Sequence, residues 1–166
     1  MRFAKIPHGA EKAENGAAIV EFALIVPMLF FLLFVILELG ILFWVNLTMQ
    51  YAVREGARYA VTGQSNPAAN QQQYQAVIQR IKDSSMGLYD RVNPTIVVNG
   101  VSQVPGTYGA SMFGAANSIL VLQLDCTWPV VTPAWRLMAL LGAGASLNRP
   151  GQYAFSVATT MQNEAF

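Results

Sequence analysis

The sequence predicts an α+β protein: a long N-terminal transmembrane helix continuing into a small head, where a second helix packs on an antiparallel β-sheet. Three observations predict it. A nearly uncharged apolar run fills the twenties to forties, an amphipathic helical repeat appears at residues 74–81, and alternating β-type segments flank Asn99-Gly100 and close the chain.

The apolar run comes first. Only 11% of the 166 residues are charged, against about a quarter in an ordinary soluble domain, and 54% are hydrophobic. The deficit is local: Phe22 to Leu37 carries no charge, and after Glu38 neither does Leu39 to Val45. As one helix, residues 22–45 would be about 36 Å long, enough to cross a hydrocarbon core of about 30 Å with some tilt. A removable secretory signal has an apolar core of about 7 to 15 residues followed by a small-x-small cleavage site. Here the run is longer and ends in Glu38-Leu39-Gly40-Ile41, so cleavage beyond the span is not expected. Arg2, Lys5 and Lys12 precede it, and Arg54 and Arg58 are the first cations after it, which favours a cytoplasmic N-terminus.

Helical character continues through "NLTMQYAVREGARYAV", where Leu47, Tyr51, Arg54 and Arg58 share one side. One helix from about Ala18 to Val61 is expected, bent at Pro27, with Trp44 and Tyr51 at the membrane interface. Residues 62–70, "TGQSNPAAN", form a turn-rich break. Tyr74, Val77, Ile78 and Ile81 then mark a second helix ended by Gly87, whose apolar side calls for a surface, expected to be a sheet. Asn99-Gly100 between two β-rich runs predicts a hairpin. In the strand at 118–128, Leu120, Leu122, Leu124 and Cys126 lie on one face. In the last strand Tyr153, Phe155, Val157 and Met161 share a parity. Between these strands, Leu137 to Ala145 is too short to span and is expected as a helical turn or short helix. Residues 105–117 form a glycine-rich loop. The organisation is thus a leader at 1–16, a long helix at 17–61 and a head at 62–166.

Composition narrows the function. The leader holds three of ten cations and two of nine acids, so its removal leaves seven of each and no basic stripe for nucleic acid. Cys126 is the single cysteine, which excludes an internal disulfide and a multi-cysteine metal site; it reads as a small buried apolar side chain. His8, the single histidine, lies in the leader, so no Ser-His or Cys-His pair can form in the head. Asp83, Asp90, Asp125 and Glu164 remain as carboxylates, with no spacing that pairs them. No phosphate loop or dinucleotide fingerprint appears. Nothing calls for a cofactor or a metal.

Two features of the helix stand out. Glu21 sits in apolar surroundings, where a carboxylate at mid-bilayer costs about 2.5 to 3.5 kcal/mol on insertion scales, taking the aspartate value. It needs a counterion, or it lies at the boundary and reaches water; Glu38, near the outer end, is expected to reach water. In Arg54-Glu55-Gly56-Ala57-Arg58, Glu55 and Arg58 can pair, while Arg54 and Arg58 repel. Gly56 costs about 1 kcal/mol relative to alanine in mid-helix, which marks either an indifferent exposed position or a seam where another element approaches.

Gly16 followed by "AAIVEF", with Glu21 fifth and Phe22 sixth, resembles the processing site of type IV prepilins. With "AIVEFALIVPMLFFLLFVILELGILFW" and "AVREGARYAV" it is similar to the TadE-like minor pilins, or pseudopilins, of bacterial tight-adherence (Flp-type) pili. "WPVVTPAWRLMALLG" and a final alternating strand resemble the family's usual ending. The resemblance implies a pilin-like, non-enzymatic protein, cut after Gly16 by a prepilin peptidase on the cytoplasmic side, with Ala17 as the new N-terminus. It implies a single-pass inner-membrane protein with a periplasmic head, able to enter an extracellular pilus. Its partners would be the lipid bilayer, the peptidase, other major and minor pilins and the inner-membrane assembly platform. Gly16, Ala17, Glu21 and Phe22 would serve processing; Glu21, Pro27, Arg54, Glu55, Gly56 and Arg58 would serve packing and assembly. The competing reading is an unprocessed, membrane-anchored protein whose head binds a ligand or envelope partner.

Overall fold

The computed structural model describes residues 10–63, 72–104, 108–109, 112–130 and 151–164. Helix α1 spans Ala10–Val61 without interruption, Pro27 included. It begins eight residues before the expected Ala18, since no proline in that stretch breaks the backbone ladder. From Gly16 to Leu37 its side chains are exposed on almost every side, only Val26 and Val35 being half-buried. That length, about 33 Å, matches a hydrocarbon core of about 30 Å. Among the described residues this is the one helix long and apolar enough to cross a membrane, its most apolar window having mean hydropathy 2.8 and no buried residue.

Above this stretch the helix has two unlike sides. Glu38, Leu42, Val45, Met49, Ala52, Val53, Ala57 and Ala60 are buried, whereas Phe43, Trp44, Leu47 and Tyr51 are exposed. The expectation that Glu38 reaches water is therefore corrected. It is 5% exposed, because the head extends that far down one side of the helix.

The head is a four-stranded antiparallel sheet, order β2-β1-β3-β4, with two further helices. Strands β1 (Thr95–Val98) and β2 (Val101–Gln103) form the hairpin that Asn99-Gly100 predicts. Both turn residues have positive φ, 50° and 81°, the backbone of a two-residue turn that suits sheet twist. Asn99 also accepts at Oδ1 from the Val121 N–H (2.8 Å), which fastens the turn to β3 (Ile119–Pro129). In register, Leu124 lies between Ile96 and Val157, so the alternating leucines, Cys126, Phe155 and Val157 point to one core. Strand β4 (Gln152–Gln162) keeps the expected parity.

Helix α2 (Gln73–Ser84) buries Val77 and Ile81 as the periodicity requires. Its partner corrects the expectation: α2 packs chiefly on α1, and it is α1 that lies against β4 and β3. The sheet face is taken by the small-residue side of α1, leaving the flank of α1 for α2. Helix α2 stops three residues before Gly87; Met86 and Gly87 then turn at positive φ into the single-turn α3 (Tyr89–Val92). Hydrogen bonds among the described residues tie α1 to the head: Gln50 Nε2 donates to the Ala158 carbonyl, Gln73 Nε2 to the Ala60 carbonyl, the Glu164 N–H to the Val61 carbonyl, and Arg80 to the Glu55 carboxylate. The short helix expected at 137–145 and most of the 62–70 break, like His8, lie outside the described residues, as does part of the 105–117 loop.

Gly100 has open space around it, so a methyl group there meets only the backbone penalty of a left-handed conformation. Gly100→Ala is expected to lower head stability by about 1–2 kcal/mol in urea unfolding, with the fold intact.

Candidate processing and assembly site

The sequence-predicted residues fall into two groups far apart on α1. Gly16, Ala17, Glu21 and Phe22 lie together near its start, all exposed, with Pro27 exposed one to two turns on. A Cβ placed on Gly16 would meet nothing within 4 Å, so packing within this chain does not require glycine there. What glycine supplies is backbone freedom: it weakens the helix there by about 1 kcal/mol relative to alanine.

The second group is built into the head. Gly56 faces Ile81 of α2. A Cβ on it would overlap Ile81 Cγ1 and stand 2.8 Å from Cδ1, so only glycine lets the helices approach this closely. Beside it in the chain, Glu55 is half-buried and receives Arg80 from α2 at 3.4 Å and Arg58 from its own helix at 3.9 Å. Arg54 and Arg58 point to solvent, Arg58 with its side chain 74% exposed. The Glu55 pairs are partly exposed and worth about 1 kcal/mol at most. The seam is thus held by Ile81 against Gly56, with the Arg80–Glu55 pair joining α2 to α1 beside it.

The remaining acids do not converge. Asp125 accepts from Ser156 Oγ and Gln123 Nε2, each at 2.7 Å, on the outer sheet face. Asp83 accepts from Gln79 Nε2 at 2.8 Å, and Asp90 meets Lys82 at 3.5 Å. No group of three or more His, Cys, Asp or Glu among the described residues could hold a metal. Burial, and then the neighbouring Asp125, push the Cys126 thiol up to about 12. Burial, followed by Tyr108, Asp90 and Cys126, pushes Tyr89 to about 12 as well.

Residues 16–58 match the TadE family, described as TadE-like protein; the match starts at Gly16 and takes in the Gly56 seam. No curated protein and no solved structure matches the chain. The stem helix therefore carries the TadE-like signature that its sequence resembles.

Sequence reasoning passed over Arg80, Gln50 and Asn163. Asn163 is 2% exposed, and its Nδ2 donates to the Phe113 and Ala115 carbonyls, both at 2.9 Å, closing the loop before β3 onto the chain after β4. No local pattern marks such a residue, because its partners lie 48 and 50 positions away.

Two outcomes follow from this geometry. Gly56→Ala is expected to destabilise the head, since overpacking costs about 1–3 kcal/mol against about 1 kcal/mol gained in helix propensity. In an Ile81→Ala background the same change becomes neutral or stabilising, which a urea double-mutant cycle measures. The Cys126 thiol is expected to resist a thiol reagent at pH 8 while folded and to react fully in denaturant. Because its folded pKa lies above its ordinary value of 9, its contribution to stability is intact below pH 9 and is lost as pH rises toward 12.

Proposed function

We propose that this chain is a non-enzymatic minor pilin needed for assembly of a tight-adherence, Flp-type pilus, processed after Gly16 by a prepilin peptidase. The observation that carries the reading is the TadE-like match over residues 16–58, on a helix whose first 22 matched residues are nearly all exposed and apolar enough for a bilayer. The leader would remain cytoplasmic and the head periplasmic, as the basic start favours. Incorporation into an extracellular filament would move the same helix from lipid into a bundle of other pilins, assembled on the inner-membrane platform.

Processing gives Glu21 its counterion. Cleavage leaves an ammonium on Ala17, four residues away, on the same subunit or on a neighbour. In apolar surroundings that pair attracts far more strongly than in water, while a carboxylate without it disfavours misaligned packing. The pair would set axial register between adjacent helices. Glu21 is exposed on α1, open to a partner from outside the chain.

The alternative, an unprocessed anchored binder, differs in mass. The protein isolated from its native membrane is expected to begin at Ala17, and Glu21→Ala to be trimmed normally yet remain outside the pilus fraction. Retention of Met1 in piliated cells would favour the anchored binder, and normal incorporation of the Glu21 variant would remove the register mechanism.

A further inference from the structure

The end of the head from which the stem emerges is a surface that the packing leaves without a role. Two hydrogen bonds show which residues form it. Gln50 of α1 donates to the Ala158 carbonyl of β4, and the Val61 carbonyl of α1 accepts from the Glu164 N–H just beyond β4, so the strand runs beside the helix in the same direction. Eleven residues of α1, about 16 Å, accompany six residues of that strand, which therefore climbs about 2.7 Å per residue along the helix axis. The six residues before Ala158 descend by the same amount and bring Gln152, the first of β4, about level with Leu39. In the ladder Pro129 lies opposite Gln152 and Trp128 opposite Tyr153, and the Val130 N–H donates to the Gly151 carbonyl at 2.9 Å. The other end of the ladder, Ile119 opposite Gln162, stands near the top of α1.

The lower end is marked by amphipathic aromatic rings. Trp128 and Tyr153 are half-buried, each packed against the core on one side. Trp44 is 50% exposed on the opposite side of α1. Its backbone lies about 10 Å beyond Leu37, and the tilt of helical side chains toward the N-terminus carries its ring down toward the level of Glu38. Both tryptophans among the described residues thus fall in one layer, on two sides of the stem. Tryptophan and tyrosine favour the level of lipid headgroups.

Length assigns that layer to lipid. On the reading of α1 as a membrane span, residues 16–37 fill the hydrocarbon core. A bilayer of about 40–45 Å with its headgroups leaves about 5–7 Å for the headgroups on each side of a core of about 30 Å. Glu38, Gln152 and Tyr153 enter this layer directly. Leu47 and Tyr51, in the exposed stripe of α1, lie about 15 and 21 Å beyond Leu37, and Arg54 about 25 Å, which places them above it. A strong lean toward the head would push Pro129 and Gln152 into hydrocarbon, and a strong lean away would lift Trp128 and Tyr153 out of the headgroups.

We infer that, before assembly, the lower end of the head, formed by Trp128, Pro129, Gln152 and Tyr153 together with Trp44 of the stem, is a lipid-contact surface seated in the outer headgroup layer. The inference rests on the reading of α1 as a span and extends it from the stem to the head. Rings on two sides of the stem fix its depth and hold it near the membrane normal, while the stripe from Leu47 to Arg58 stands in water above.

The test uses the full chain in nanodiscs, with Cys126→Ala as background and single nitroxide labels at Phe30, Tyr51, Ile119, Pro129 or Gln152. A fraction of the lipid carries a nickel chelate on its headgroup. Relaxation of the Pro129 and Gln152 labels by this nickel is expected to exceed that of Ile119 severalfold, because Ile119 is ten residues from Pro129 along β3, about 33 Å. Tyr51 is expected to behave like Ile119, and Phe30 to collide more with oxygen than with a water-soluble nickel complex. Equal relaxation at Pro129, Gln152 and Ile119, with Phe30 in lipid, overturns the inference and leaves the span standing. Stronger relaxation at Tyr51 than at Pro129 does the same, because the stem then lies over toward its exposed stripe. Exclusion of both oxygen and soluble nickel from the exposed Pro129 position also overturns it, since protein then covers this end. A Phe30 label open to soluble nickel removes the span itself, and the inference with it.

Discussion

One helix answers to two solvents. Along its lower half α1 offers apolar side chains in every direction, as hydrocarbon requires. From Glu38 upward it offers them to a protein core on one side only. The change falls within a single continuous helix, so the backbone ladder transmits the position of the stem directly to the head. The sheet, α2 and the exposed stripe take their places around that division.

Packing follows from residue size along α1. Ala52, Gly56, Ala57 and Ala60 leave its buried side low enough for β3 and β4 on one flank and α2 on the other. At Gly56 the clearance is set by Ile81, a buried side chain with little freedom to move. The alternating leucines of β3 complete the core from the other side, between β1 and β4. Because α1 packs against α2, β4 and β3 alike, a displaced stem disturbs the core of the head.

Periodicity and turn chemistry made much of this legible. The hairpin could be read because Asn99-Gly100 is one of few pairs that tolerate positive φ at both positions, and β3 because Leu120 to Cys126 alternates without a break. The match of residues 16–58 to the TadE-like family agrees with what "G-AAIVEF" and "REGARYA" suggested. Partner choice was not legible. The apolar side of α2 showed that it needed a surface, but a moment has no address, and the surface proved to be α1. Glu38 failed for a related reason: its exposure depends on how far down the helix the head reaches, a tertiary distance. Asn163 and Arg80 act through contacts remote in sequence, which no local pattern encodes.

The account rests on the stem and the head core being one cooperative unit built on α1. Hydrogen exchange of the full chain in nanodiscs measures this most directly. Amides of residues 45–61 should open with the same free energy as those of β3 and β4, while residues 22–37 stay protected by lipid. Opening of residues 45–61 at markedly lower free energy than the sheet, or rapid exchange of residues 22–37 in intact discs, would contradict it.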